Sequence, residues 1–186
     1  MLFRSELGIS KVEAVKDRIN KILPDIEVNC YTEDVVKNPD KTLEICKEAD
    51  IVLVATDTEN SKRLANWAAH QLNKPVVFAG LLERATGGRV WRVIPGKTAC
   101  YDCHPVNESI TPKSDIAYTE IKSPRDLTIQ PGLGNDIDFV TNLAVRYVID
   151  SLKGEENSEI KYPMVFWFSH SSEKWQSEPL DRKSVV

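Results

Sequence analysis

The sequence predicts an α/β fold with a mainly parallel sheet and an antiparallel extension. Residues 51–55 read Ile-Val-Leu-Val-Ala, a run that is apolar on both faces, as expected of a central strand in a covered parallel sheet. Residues 76–79 form a second apolar run, and a helical pattern over residues 59–72 lies between the two, which is the order of a βαβ crossover. Residues 89–94 then read Arg-Val-Trp-Arg-Val-Ile, an apolar run interrupted by charged residues, which favours a half-exposed antiparallel strand.

The composition fits one globular domain, with 186 residues of which 41% are hydrophobic and 28% charged. The net charge is −4 and no stretch concentrates Lys and Arg, so we expect no nucleic-acid partner. No apolar run approaches the roughly 20 residues that cross a bilayer, and the first residues do not resemble a signal peptide. These observations predict a cytoplasmic protein without a membrane partner.

The amino-terminal elements are predicted from periodicity. Residues 9–23 carry an apolar stripe at helical spacing, and Pro24 ends that helix. Residues 26–31 alternate as a short strand would, and residues 40–48 have the pattern of a short helix. The helix over 59–72 then begins after Thr56-Asp57-Thr58 and is broken by the Asn-Lys-Pro sequence at 73–75.

The carboxyl-terminal part has a different character. Four prolines punctuate residues 104–131, which have no firm period, and so long a loop in a compact domain is either functional or disordered. Residues 135–152 predict a helix that is apolar around much of its circumference, and residues 164–168 predict a last strand.

Asp57 is the first candidate site residue, because it follows a buried strand and opens a helix. Open α/β sheets place their chemistry at this position, where a carboxylate can hold Mg²⁺ against nucleotide phosphates. The alternative is that Asp57 or Thr58 only caps the helix. The spacing leaves both interpretations open.

Cys100 and Cys103 supply two thiols at the spacing of a zinc knuckle. A structural zinc site takes four ligands, and the chain contains no second Cys-x-x-Cys pair. A redox pair or two ordinary thiols are the alternatives.

Glycine-rich motifs are sparse. The turn at residues 131–135 precedes a helix, so its amides could meet an anion or a peptide tail, or it could be a simple turn. No GxGxxG or GxxxxGK[ST] motif occurs in the chain.

These signals follow one another in an order that resembles the ThiF/MoeB/HesA family over residues 1–153. The matching positions are the G-x-x-K helix opening at Gly8 and Lys11, the strand and aspartate at 51–57, the R-x-x-N helix at Arg63 and Asn66, the strand and turn at 74–80 and 88–90, the cysteine pair at 99–103, and the loop end at 130–132.

The resemblance implies a Rossmann-like fold and an ATP-dependent adenylyltransferase that activates a ubiquitin-like or sulfur-carrier protein. In that family the carrier's terminal carboxylate attacks the α-phosphate of ATP. By motif match, Asp57 would bind Mg²⁺ with Thr58 beside the nucleotide, and Lys11 would neutralise charge on the outer phosphates. Arg4 would match the arginine of the family's N-x-x-R motif. Residues 104–131 would close over the carrier tail.

The resemblance also implies a zinc site with Cys100 and Cys103 as two of its ligands, and a homodimer formed through the sheet and the helices 59–72 and 135–152. Residues 154–186 would be a carboxyl-terminal extension. The family's nucleotide-loop unit is missing from these residues, so we expect an incomplete activating enzyme that is inactive alone. The alternative is a non-catalytic Rossmann-like partner subunit that lacks nucleotide binding.

Overall fold

The computed structural model describes residues 8–81, 87–103, 134–161, 164–168 and 176–178. The chain divides into two compact units, residues 1–38 and residues 39–186. The predictions for Arg4, for the loop 104–131 and for the turn at 131–133 lie outside the described residues.

The first unit contains helix α1, Lys11–Ile22, which confirms the helix predicted over 9–23. Ser10 caps it, because the Ser10 hydroxyl oxygen accepts a 3.4 Å hydrogen bond from the backbone N–H of Glu13. The strand predicted over 26–31 is wrong, because this segment has no strand partner within the described part of the unit. The Cys30 thiol instead donates to the carbonyl oxygen of Val12, 3.3 Å away.

In its described residues the second unit combines a five-stranded sheet with three helices, and a 3₁₀ turn at Glu155–Asn157 follows the last of them. None of the helices in the described residues is both long enough and apolar enough to cross a membrane. The elements, in chain order, are α2 Pro39–Lys47, β1 Val52–Val54, α3 Glu59–Leu72, β2 Val76–Leu81, β3 Gly87–Val93, α4 Gly134–Leu152, β4 Met164–Phe168 and β5 Gln176–Glu178.

The strands lie in the order β1-β2-β3-β4-β5. β1 and β2 are parallel and each later pair is antiparallel, which confirms the α/β class with its antiparallel extension. The prediction that 51–55 is a central strand covered on both faces is wrong for the described sheet, because β1 is an edge strand and Leu53 is 46% exposed. An apolar run shows that burying the strand is favourable, but it does not show which neighbouring element would cover the strand.

The sheet has a hydrophobic cluster on each face. On one face Val76, Phe78 and Trp91 pack with Ala69 of α3 and with Tyr101. On the opposite face side chains of β2 and β3 pack against α4; they are Val77, Val90, Val140, Ala144 and Tyr147. Because both faces are covered, every residue of β3 is buried, and the prediction that this strand is half-exposed is wrong.

Gly88 allows α4 to approach the sheet closely. A Cβ atom at Gly88 would lie 2.4 Å from a methyl group of Val140 and 3.0 Å from the backbone oxygen of Gly80. Both distances are shorter than ordinary van der Waals contacts. The absence of a side chain at Gly88 therefore sets how close α4 lies to β3.

Candidate functional site

Asp57 is exposed in a bend just past the carboxyl end of β1. Thr58 is the N-cap of α3, because its hydroxyl oxygen accepts a 3.3 Å hydrogen bond from the backbone N–H of Ser61. The cap interpretation therefore applies to Thr58. Within the described residues the carboxylate of Asp57 forms no hydrogen bond or ion pair.

The residues on either side of Asp57 are held by one buried hydroxyl group. The Ser61 Oγ atom lies 2.6 Å from the Thr56 hydroxyl oxygen and 2.9 Å from the Thr58 hydroxyl oxygen, and Ser61 is only 6% exposed. Side-chain bonds of this kind stabilise a turn. The bend that carries Asp57 is thereby fixed before any ligand binds.

Glu59, in the first turn of α3, is the centre of a second group of contacts. Its carboxylate forms a 3.0 Å ion pair with Lys62, and the two side chains are 16% and 10% exposed. The same carboxylate accepts a 2.5 Å hydrogen bond from the hydroxyl group of Tyr101. We call Glu59, Lys62 and Tyr101 the Glu59 cluster.

Burial and hydrogen bonding act together on the two acids of the Glu59 cluster. Burial raises the pKa of Tyr101, and its hydrogen bond to the Glu59 carboxylate raises that pKa further. Burial also disfavours the charged form of Glu59, but the hydrogen bonds from Tyr101 and Lys62 outweigh it and lower the pKa of Glu59. Glu59 is therefore held as a carboxylate and Tyr101 as a neutral phenol.

The loop 99–103 is attached to α3 at two further points. The side-chain oxygen of Asn66 accepts a 3.1 Å hydrogen bond from the backbone N–H of Tyr101. Arg63 forms a 3.0 Å ion pair with Asp102, and the two side chains are 59% and 50% exposed. The arginine and asparagine of the R-x-x-N helix thus contact the two residues that lie between the cysteines.

The sequence alone does not indicate Glu59, Lys62 or Tyr101 as site residues. Tyr101 is fully buried and its ring lies 4.9 Å from that of Phe78 and 5.2 Å from that of Trp91. An aromatic residue inside a Cys-x-x-Cys segment was the available signal. It did not indicate which helix the ring and hydroxyl group would contact.

Cys100 and Cys103 are free thiols whose sulfur atoms lie 3.0 Å apart. The backbone N–H of Cys103 donates to the carbonyl oxygen of Cys100 over 3.1 Å, which closes a tight turn. Burial raises the pKa of Cys100, and the hydrogen bond with Cys103 adds to this effect. No group of three or more metal-binding side chains occurs in the described ranges. A structural zinc site takes four ligands, so a zinc site at these two thiols stays a prediction.

Lys11 is the first residue of α1 and is exposed. It belongs to the first compact unit, whereas Asp57 and Thr58 belong to the second. Within the second unit, Asp57 and Thr58 directly precede α3, and the loop 99–103 contacts the same helix. The role of Lys11 stays a prediction.

Comparisons with known proteins agree on one family. The sequence profile of the ThiF family matches residues 1–184. The chain is 32% identical over 122 residues to ubiquitin-like modifier-activating enzyme 5 of Aedes aegypti, covering 59% of this chain and 31% of that protein. For the enzyme of the same name in Gallus gallus the identity is 30% over 110 residues, covering 54% of this chain and 28% of that protein. The chain thus spans about a third of the length of these relatives.

Among solved structures, the fold is similar to that of MccB from E. coli. The crystal structure of MccB with ATP superimposes with a TM-score of 0.71 at 22% identity, over 97% of this chain and 51% of MccB. The structure of MccB in complex with N-formylated MccA gives a TM-score of 0.68 at 21% identity, over 97% of this chain and 52% of MccB. At this identity the likeness shows the Rossmann-like fold.

Proposed function

The chain belongs to the ThiF family, and on that premise we propose that it forms part of an adenylating enzyme with Asp57 as its magnesium-binding and α-phosphate-directing residue. The substrate would be the terminal carboxylate of a ubiquitin-like protein, a sulfur-carrier protein or a peptide. A carboxylate oxygen of the substrate would attack the α-phosphorus of ATP. The bond between that phosphorus and the oxygen that bridges the α- and β-phosphates would break. The products are an acyl-adenylate and pyrophosphate.

The observation that carries the proposal is the exposed carboxylate of Asp57 just past the carboxyl end of β1, which has no bonding partner among the residues that the structure describes. Carboxylate oxygens are preferred ligands of Mg²⁺, and ligands of open α/β sheets bind outside the carboxyl ends of the strands. The Thr58 hydroxyl group already caps the start of α3, so the helix does not need the Asp57 carboxylate as its cap. The Ser61 contacts hold the bend on both sides of Asp57, and such preorganisation favours electrostatic catalysis.

The residues of this chain suit the cofactor that the family uses. ATP would supply the activated phosphate, and Asp57 would fix the metal that neutralises it. Lys11, exposed at the start of α1, would place a positive charge on the outer phosphates. Thr58 would lie beside the phosphates at the start of α3, because the N-terminus of a helix favours an anion.

A homodimer through α4 is part of the same proposal. The buried face of α4 carries Val140 and Ala144. On the opposite side Val145, Ile149 and Leu152 are 42%, 52% and 58% exposed, and their spacing of four and three residues places them on one stripe. An apolar stripe of this kind is typical of a protein–protein contact.

The direct test is ATP–pyrophosphate exchange by the protein expressed from its complete gene. We expect exchange that requires Mg²⁺ and a carrier protein or peptide with a free terminal carboxylate. The same carrier with an amidated terminus should support none, because the attacking oxygen is lost. Tight carrier binding without any exchange would instead favour a non-catalytic partner subunit.

A further inference from the structure

The sulfur atoms of Cys100 and Cys103 are already in contact while both residues are free thiols. Their separation is 3.0 Å, about 1 Å longer than a disulfide bond. Two sulfur atoms on one tetrahedral zinc ion, each about 2.3 Å from it, lie roughly 3.8 Å apart. The turn therefore places the two sulfur atoms close enough to bond to each other after a small rotation of their side chains.

The sequence supplies only half of a four-cysteine zinc set, because it contains no second Cys-x-x-Cys pair. A structural zinc site takes four ligands, and these two cysteines gain no third His, Cys, Asp or Glu ligand from the described residues. A dithiol–disulfide pair needs only the two sulfur atoms. The turn is closed by the hydrogen bond from Cys103 N–H to Cys100 O, and a tight turn keeps its end Cα atoms within about 7 Å, which a disulfide can bridge.

The two residues between the cysteines hold this geometry in the reduced protein. Tyr101 is fully buried, its backbone N–H donates to Asn66, and its hydroxyl group donates to Glu59. Asp102 is paired with Arg63. Because the turn is ordered before oxidation, forming the ring requires little further loss of conformational freedom.

We propose that Cys100 and Cys103 form a reversible dithiol–disulfide pair that exchanges with small-molecule disulfides such as glutathione disulfide. The exposed Cys103 sulfur attacks one sulfur of glutathione disulfide and releases one glutathione thiol. The Cys100 sulfur then attacks Cys103 and releases the second. The two protein thiols lose two electrons and two protons, and one glutathione disulfide becomes two glutathione thiols.

The position of the pair gives its oxidation a structural consequence. The ring encloses Tyr101, whose hydroxyl group holds Glu59 in the first turn of α3. Glu59 lies two residues after Asp57. The oxidised ring would hold loop 99–103 on the start of α3 more firmly than the reduced turn does, whether or not the chain is an adenylating enzyme.

Alkylation in glutathione redox buffers tests the pair directly. The protein is equilibrated over a series of ratios of glutathione to glutathione disulfide, alkylated, and digested with trypsin. Cys100 and Cys103 fall in one peptide, 98–113, while Cys30 and Cys46 fall in peptides 22–37 and 42–47. We expect peptide 98–113 to change from doubly alkylated to unalkylated and lighter by two hydrogen atoms, while the other two peptides stay alkylated.

Matched variants and a second measurement make the result decisive. Cys103→Ser should abolish the two-hydrogen loss, and Cys46→Ser should leave it unchanged. Oxidised protein should unfold at a higher temperature than reduced protein, and this difference should vanish in Cys103→Ser. Full alkylation of peptide 98–113 at every ratio would overturn the proposal. So would one zinc ion per chain that protects the two thiols from alkylation while the peptide keeps both hydrogen atoms.

Discussion

The hydroxyl group of Tyr101 donates a 2.5 Å hydrogen bond to the carboxylate of Glu59, 42 residues earlier in the chain. The contact joins the loop between the two cysteines to the first turn of α3. It also ties that loop to the helix that begins directly after Asp57 and Thr58. The stability of the Glu59 cluster and the position of the candidate site are therefore linked through one helix terminus.

Tyr101→Phe should lower the free energy of unfolding by about 1–3 kcal/mol. The change removes a hydrogen bond to a charged, mostly buried acceptor, the Glu59 carboxylate, which keeps its ion pair with Lys62. Urea denaturation measures the loss. Tyr31→Phe is the control, because Tyr31 is 46% exposed, and it should change stability little. In a Glu59→Ala background, which lacks the acceptor, Tyr101→Phe should cost little further stability. A full loss in that background would show that the hydrogen bond to Glu59 is not the cause.

Asp57→Asn should reduce ATP–pyrophosphate exchange on the order of 100-fold or more, because a neutral amide cannot replace the charge that holds the metal. The fold should be unchanged, since the Asp57 side chain is exposed and Thr58 caps α3. Exchange and circular dichroism are measured together. Asp50→Asn, an exposed aspartate before the amino end of β1, should exchange normally. Near-normal exchange in Asp57→Asn would remove Asp57 from the mechanism.

Asp150 should make the protein less stable in acid. It accepts hydrogen bonds from Ser158 (2.6 Å), the Glu159 N–H (2.8 Å) and Arg92 (2.7 Å). Burial opposes ionisation, but these donors outweigh it and hold the pKa of Asp150 at about 2. A carboxyl group with a lowered pKa stabilises the folded protein at pH values above its pKa in the unfolded chain, roughly 3.9. This stabilisation is lost as the pH falls toward its pKa in the folded protein. About 2 kcal/mol should disappear between pH 4 and pH 2.

Asp150→Asn tests that interpretation. It should cost about 3–5 kcal/mol at neutral pH, because it leaves the buried Arg92 without its anion. The variant should also lose this part of the acid dependence. Unfolding free energies from pH 2 to pH 6 decide the matter, with the exposed Asp138→Asn as control. An unchanged acid slope would show that other carboxylates cause it.

Gly88→Ala should destabilise the sheet–α4 contact by about 1–3 kcal/mol, the usual cost of overpacking. The added methyl group would meet Val140 at 2.4 Å and the backbone of Gly80 at 3.0 Å. Gly134→Ala is the control, because a Cβ there meets nothing within 4 Å. Thermal unfolding measures both. Val140→Ala should restore part of the loss in Gly88→Ala, and no interaction between the two changes would contradict the packing argument.

Ile149→Glu should weaken the proposed homodimer by roughly 30-fold or more, the effect of losing a central apolar contact. Ile149 lies in the middle of the exposed stripe of α4, so the charge would have to be buried on association. Sedimentation velocity over a concentration series measures the equilibrium. Ile26→Glu changes an equally exposed residue, at 49%, in the other unit and should leave the dimer intact. A monomeric parent protein at tens of micromolar would refute this interface.

Local signals determined the helices. α3 was predicted over 59–72 and occurs at Glu59–Leu72, because its start and stop are written in neighbouring residues. Thr58 caps the first turn, and Asn73 adopts a left-handed conformation at φ 50° before Pro75. The βαβ order and the order of the family motifs are also properties of the linear sequence. They were sufficient to indicate the α/β class and the ThiF family.

Non-local contacts decided what the sequence did not. Residues 26–31 alternate like a strand, but a strand requires a partner with free backbone groups, and none is described in that unit. Arg92 is a charged residue in a segment for which the sequence predicts partial exposure, yet it is buried because Asp150, 58 residues later, neutralises it. Glu59 and Tyr101 likewise meet across 42 residues. Helix termini depend on a few adjacent side chains, whereas burial of a charge depends on which distant residue the fold brings beside it.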